Sequence, residues 1–293
     1  MDGIAPDAPS APDFASHRAD FRRLHESGCF VIPNPWDAGT ARYLAHLGFP
    51  ALATTSSGLS FSKALPDMDW AVPREMALAH IAEIVAASDL PVNADFESGY
   101  AHDAAGVAES VRLCCATGVA GLSIEDATGD KAAPLYEIPQ AVERIRAARA
   151  AIDAHGGVLL TGRAEPFLVG HDDPLREAIR RLQAYAEAGA DVLYPPGPRT
   201  PDEIRAIVGA VAPKPVNLLM SANTGLTVAD VAALGIRRVS VGSSLARAAW
   251  TGFIRAATLI AAEGRFDGFD GSVPFAELNG FFRRDLAGRG GAS

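Results

Sequence analysis

The feature that most constrains this chain is a phrase repeated eight times: a short β-branched run, a few polar or small residues, then an Ala-rich amphipathic stretch. The strand-like runs are Cys29–Pro33, Ala51–Thr55, Pro91–Asp95, Gly121–Glu125, Val158–Arg163, Asp191–Tyr194, Val216–Leu219 and Arg238–Val241. Helix-like stretches follow them at Asp37–Leu47, Pro73–Ala87, Asp103–Thr117, Ile138–Ala154, Asp173–Ala188, Pro201–Val211, Val228–Leu234 and Ser244–Glu263. Asp103, Asp173 and Thr200 stand where helix N-caps belong, and Gly48, Gly118 and Gly189 lie just past helix ends. Such alternation implies parallel strands, because a parallel pair needs a crossover connection. Eight units predict closure into an α/β (β/α)8 TIM barrel. The alternative is an open doubly wound sheet, but no GxGxxG follows the first strand to favour it. The barrel is expected over 21–264, after a flexible tail over 1–20. A C-terminal helical extension over 265–293 is expected to pack outside the barrel or to be swapped onto another subunit.

Charge and cysteine content narrow the partners. Lys and Arg number 26 against 35 Asp and Glu, a net charge of −9 with no polybasic run, so the electrostatic footprint of a nucleic-acid binder is missing. No signal-peptide pattern and no run of about eighteen apolar residues appears, which predicts a soluble chain with no membrane partner. Three cysteines, two of them the adjacent Cys114 and Cys115 in a helical pattern, read as packing residues rather than a disulfide framework or zinc site. A cytoplasmic protein is expected.

In a parallel barrel the chemistry collects at the C-terminal strand ends, and those ends are polar here. Trp36 and Asp37 follow strand one, Thr54–Gly58 strand two, Asp95 and Glu97 strand three, Glu125 and Asp126 strand four, and Arg163 and Glu165 strand five. Asp95 and Glu97 share the parity of an extended chain, and Glu125 is expected level with them on the next strand, about 4.8 Å away. Converging carboxylates repel one another, whereas a hard divalent cation such as Mg2+ accepts that oxygen set. The plainer reading makes Glu97 or Asp126 a helix cap or the partner of a surface arginine. Arg163 ends an otherwise apolar strand, so its guanidinium is expected to meet a substrate carboxylate or developing oxyanion, or else Glu165 or Glu125. The run TTSSGLS offers successive backbone N–H groups for an anion. His102 and His171 lie near strand-end loops and are candidate functional histidines.

Taken in order, NPWDAGTARYL, TTSSGLSFSKALPD, PVNADFESGY, GVAGLSIEDATG, LLTGRAEPF, AYAEAGADVLYP and PVNLL resemble the isocitrate lyase and phosphoenolpyruvate mutase superfamily, from about Phe21 to Ala262. The resemblance implies a barrel that binds Mg2+ and a small 2-oxo or 2-hydroxy carboxylate and works through a metal-bound enolate. It also implies a homotetramer with helix exchange between paired subunits. Carried over by position, Ser57, Gly58 and Leu59 match the backbone segment that holds the substrate carboxylate. Asp95 and Glu125 match metal-associated acids, with Glu97 an additional acid and Asp67, or else Asp69, the aspartate before the second helix. Arg163 matches the arginine of the A-R-T-D segment, Asn217 a strand-seven asparagine near the substrate, and Trp36 joins the substrate contacts.

The departures are informative. Asn93 stands where many members have the first aspartate of a pair. The loop after strand four reads ATGDKAAPLYE, without the cysteine and histidine of isocitrate and methylisocitrate lyases, and Pro196 replaces a glutamate after strand six. Lys131 is present on that loop, but the asparagine of the mutases is not. Retro-aldol cleavage needs a base for the substrate hydroxyl, whereas decarboxylation of a β-carboxylated oxo acid needs enolate stabilisation and then a proton donor. The expected activity is therefore Mg2+-dependent carbon–carbon cleavage, with oxaloacetate-like decarboxylation favoured over aldol-type cleavage and with Tyr136 or Lys131 moving protons. The alternatives are a phosphonopyruvate mutase or hydrolase, and a barrel that binds an oxo acid without turning it over.

Overall fold

The computed structural model describes residues 14–67 and 70–290. Their elements, in chain order, are α1 (Phe14–Leu24), β1 (Phe30–Ile32), α2 (Ala38–His46), β2 (Leu52–Ala53), α3 (Ser56–Ser62), α4 (Arg74–Ala87), β3 (Val92–Asp95), α5 (Ala104–Ala116), β4 (Gly121–Glu125), α6 (Ile138–Asp153), β5 (Leu159–Arg163), α7 (Pro174–Glu187), β6 (Val192–Tyr194), α8 (Pro201–Val211), β7 (Asn217–Leu219), α9 (Val228–Ala233), β8 (Arg238–Ser240), α10 (Ser244–Glu263) and α11 (Phe275–Gly290). Each expected strand and helix of the repeat is present, trimmed by a residue or two. Asp103 and Asp173 cap α5 and α7, and Thr200 closes a capping box with Glu203 at α8.

All strand pairs are parallel. One ladder runs β2-β3-β4-β5-β6 and a second runs β1-β8-β7. They meet at a bridge between Leu193 and Val216 and at the Ala53 N–H, which donates to the Pro33 carbonyl at 3.0 Å. The ring of neighbours is thereby completed in the order a TIM-like barrel requires.

The expected tail is the first correction. Residues 14–20 belong to α1, whose Phe21 is fully buried against Phe30, Ile32, Ala51, Ala53, Ala120, Leu159 and Val192. Phe30, Ala51, Ala120, Leu159 and Val192 stand at or just before the starts of their strands, so Phe21 packs toward the N-terminal end of the sheet. The close approach requires a small partner, because a Cβ at Gly121 would lie 2.7 Å from the Phe21 ring. Arg18 ties the same helix down by donating to the carbonyls of Val119, His155 and Cys115. The call on residues 1–13 lies outside the described residues.

The compact unit that carries the barrel runs over 14–246, so most of α10 groups with the C-terminal segment instead of the barrel. In that second unit the Arg255 guanidinium donates to the Gly268 carbonyl, and Gly268 packs on Ala256. Much of its apolar surface is bare: Phe253, Phe266, Phe275 and Leu286 are each more than 60% exposed.

Candidate active site

The rim is assembled from three adjacent strand ends. Register sets Asp95 opposite Ser123 and Glu125 opposite Arg163, so Glu125 stands two residues above Asp95, not level with it. Its N–H donates to the Glu97 carbonyl at 3.0 Å. Glu97 does not share strand parity with Asp95, because β3 ends at Asp95 and Glu97 turns to φ +47°. A non-glycine residue there stores about 1–3 kcal/mol of strain, and the surroundings hold it: the Tyr100 hydroxyl donates to the Glu97 carboxylate at 2.8 Å.

Arg163 is the centre of the cluster. Its Nη1 lies 3.1 Å from Asp95 Oδ1 and 3.0 Å from Glu125 Oε2, and its Nε donates to Glu165. The Tyr194 ring lies 5.2 Å from its Cζ. Asp95 is fixed on two further sides, by the Ser56 N–H at 3.0 Å and by the Thr54 hydroxyl, which accepts from the Asp95 N–H at 2.9 Å. Burial alone opposes the charge on Arg163, but Glu125, Glu165, Tyr194 and Asp95 more than offset it, and the guanidinium holds its proton more firmly than usual. Burial raises the Glu125 carboxyl well above the ordinary range, with Arg163 working the other way. Glu97 is pushed up to about 7, chiefly by burial, against the Tyr100 bond and helped by repulsion from Asp95 and Asp67.

Asp126 is neither a helix cap nor the partner of a surface arginine: it pairs with the buried Arg181. It is buried and accepts from Arg181 at 3.1 Å, from the Tyr185 hydroxyl at 2.5 Å and from the Glu165 N–H at 2.9 Å. It supports the rim from behind and does not face the cavity.

Above Arg163 opens a cavity of about 620 Å³. Of the expected site residues, Asp67, Glu97, Glu125, Lys131 and Arg163 line it; Asp95 does not, but bonds Arg163 and lines a smaller pocket shared with Ser56 and Glu97. Ser57 stands at its edge, with its hydroxyl donating to Asp67. The others are placed differently. The N–H groups of Gly58 and Leu59 are engaged in the first turn of α3, donating to the Thr55 hydroxyl and carbonyl at 3.2 and 3.1 Å. Trp36 is half-buried, with its carbonyl accepting from His80 Nε2 at 3.0 Å. Asn217 lies inside the barrel, donating to the Ser240 hydroxyl at 2.9 Å and accepting from Arg238 Nε at 2.7 Å. Tyr136 is buried, with its hydroxyl 2.6 Å from His102 Nδ1. Asp69 lies outside the described residues. Asn93 is buried below the rim, so the extra acid in the cavity is Glu97 alone among these two.

Ser56, Trp70 and Glu165 are the residues that sequence reasoning underused. Glu165 carried a signal, since it follows Arg163 by two positions at a strand end. Trp70 carried none, because its place depends on how the chain after α3 returns to the rim.

Among the described residues no three His, Cys, Asp or Glu side chains already stand as a metal-holding group. The chemistry of the donor set nevertheless fits a hard divalent cation. Asp67, Asp95, Glu97 and Glu125 offer only carboxylate oxygens, the donor type such a cation takes, and they outnumber the single guanidinium of Arg163 among them.

The phosphoenolpyruvate phosphomutase family model matches residues 21–261. The chain belongs to this family. It is 34% identical over 262 residues to the uncharacterized protein Rv1998c of Mycobacterium tuberculosis, covering 88% of this chain and 94% of that one. A candidate lyase/mutase from Burkholderia cenocepacia J2315 superposes with a TM-score of 0.88 at 49% identity, over 92% of this chain and 97% of the other. A phosphonopyruvate hydrolase solved with oxalate and Mg2+ gives 0.79 at 29% identity, over 92% and 97%. Other relatives are named oxaloacetate decarboxylase, from Paraburkholderia xenovorans, at 29% identity, and 2,3-dimethylmalate lyase, from Eubacterium barkeri, at 32%.

Proposed function

We propose that this protein is a divalent-metal-dependent carbon–carbon lyase acting on a small 2-oxo or 2-hydroxy carboxylate, with decarboxylation of an oxaloacetate-like acid as its reaction. One observation carries the reading: a guanidinium gripped by three carboxylates at the floor of a carboxylate-rich cavity. Asp95, Glu97, Glu125 and Asp67 would hold Mg2+, which when bound supplies Lewis-acid stabilisation of charge developing on the substrate's oxygens. Arg163 meets the same developing charge from the protein side, in a partly dehydrated setting where a fixed donor counts for more than in water. Ser56 and Thr54 keep Asp95 aimed at Arg163. The described side chains lining the cavity include no cysteine, and decarboxylation requires no base to remove a hydroxyl proton.

The cavity-lining Lys131 favours a second reading, cleavage of a phosphorus–carbon bond in a phosphonopyruvate-like acid. The test compares loss of oxaloacetate and of phosphonopyruvate at one Mg2+ concentration, above the rate without enzyme and with an EDTA control. Oxaloacetate consumption at least tenfold faster than phosphonopyruvate consumption, and abolished by EDTA, is expected. The reverse order transfers the assignment to phosphorus–carbon chemistry. Binding of both acids with turnover of neither identifies a non-catalytic oxo-acid receptor.

The bare aromatic surface of the 247–290 unit supports a homo-oligomer, with a tetramer that exchanges this segment between copies as the expected form. Light scattering of the intact chain is expected to give a multiple of the single-chain mass, and F253D combined with F275D to reduce it; a monomeric wild type would dispose of this reading. The three free cysteines suit a reducing compartment such as the cytoplasm. No described helix is long and apolar enough to cross a membrane.

A further inference from the structure

We infer that His102 is the group that delivers the proton to the carbon freed by bond cleavage, and that Tyr136 is its positioning residue. The inference rests on the lyase reading above, which needs a proton donor after carbon dioxide departs. The rim itself offers a poor one: Arg163 is held by Asp95, Glu125 and Glu165, and the carboxylates of Asp67, Asp95, Glu97 and Glu125 are those assigned above to the metal. Lys131 sits at the exposed tip of a hairpin that is tied to itself, with the Thr128 hydroxyl donating to the Ala133 carbonyl at 2.6 Å and the Ala132 N–H donating to Asp130 at 2.8 Å. Tyr136 does not line the cavity.

His102 does line it, together with Glu97, Glu125 and Arg163. Three contacts define its ring and backbone. Tyr136 Oη lies 2.6 Å from its Nδ1; the Trp70 ring packs on it at 4.8 Å between centroids; and Arg144 Nη1 donates to its carbonyl at 2.6 Å. Arg144 also covers the Tyr136 ring at 4.0 Å, so the phenol cannot swing away. With Nδ1 committed to Tyr136, Nε2 is the nitrogen left for the cavity. The residue as a whole is solvent-exposed, so it can be recharged from water.

The step balances without another reactant. The imidazolium keeps its Nδ1–H, which donates to Tyr136 Oη. The Nε2–H bond breaks as the carbon–hydrogen bond forms, and the enolate's electron pair becomes that bond. Neutral imidazole remains, and solvent returns the proton. An orienting hydrogen bond of this kind fixes which nitrogen works, which is a large part of what a second group contributes to a catalytic histidine.

The test separates this step from cleavage. In D2O with Mg2+, wild-type enzyme is expected to exchange the methyl protons of pyruvate, read by proton NMR, because protonation runs in reverse. H102Q is expected to slow that exchange about 100-fold or more, while oxalate binding in the presence of Mg2+, read by calorimetry, stays within threefold. Y136F is expected to lose about tenfold and to displace the acid limb of the pH–rate profile, which a merely structural role would not move. H102Q exchanging within threefold of wild type overturns the role of His102 and leaves the lyase reading standing. A wild type that neither exchanges pyruvate nor consumes oxaloacetate overturns both.

Discussion

Arg163→Lys is expected to lower kcat/KM for the preferred acid by about 100- to 1000-fold, the usual cost of losing a positioned donor to developing negative charge, while circular dichroism stays native. The loss follows from geometry. One guanidinium serves Asp95 and Glu125 through Nη1 and Glu165 through Nε, in a plane backed by Tyr194. An ammonium is a point charge on a flexible stem and cannot serve three carboxylates in fixed directions. At least one of them is then left without a partner in a site that already resists their ionisation. Activity within threefold of wild type would show that the guanidinium is scaffolding alone.

The largest loss of stability is expected from Arg181→Met. Asp126 and Arg181 are 2% and 6% exposed, and removing one member of such a pair strands a buried charge at a cost of about 3–5 kcal/mol. Burial already raises the Asp126 carboxyl, against the opposing pull of Arg181, so the folded state favours its protonated form more than the unfolded chain does. The sign follows. Without Arg181 the Asp126 carboxyl rises further, the loss is greatest at neutral pH, and it shrinks as acid supplies the missing proton. Urea midpoints at two pH values check this, with Tyr185→Phe as the milder companion at about 1 kcal/mol. A pH-independent loss below about 1 kcal/mol would mean that Asp126 finds another donor.

The two variants probe different layers of one arrangement. Asp126 bonds the N–H of Glu165, and Glu165 bonds Arg163. The buried pair behind the rim is therefore linked through Glu165 to Arg163.

Much of this was legible before any coordinates. The eight strand–helix phrases follow from side-chain periodicity, which is local, and the polar strand ends from composition at those positions. That Arg163 meets Glu125 and Glu165 was one of the two readings its surroundings allowed. Helix α1 was missed although Phe14, Phe21 and Leu24 repeat at helical spacing, because the proline-rich stretch before it masked the pattern. Within the run TTSSGLS, read as offering successive N–H groups to an anion, Ser56–Ser62 form a helix in which Thr55 satisfies the N–H groups of Gly58 and Leu59.

Sequence alone determined the order of the elements, the parallel sheet and the collection of acids at one end of it, because each depends on residues near one another in the chain. Tertiary structure decided the rest: that Glu97 leaves the strand and still reaches the cavity, that Asn217 serves the barrel interior, and that Tyr136 stands behind His102, 34 positions away in the chain. The physical reason is that hydrogen bonds and charge pairs are directional and only a few ångströms long, so which partners meet depends on strand register and loop return, which no local pattern encodes.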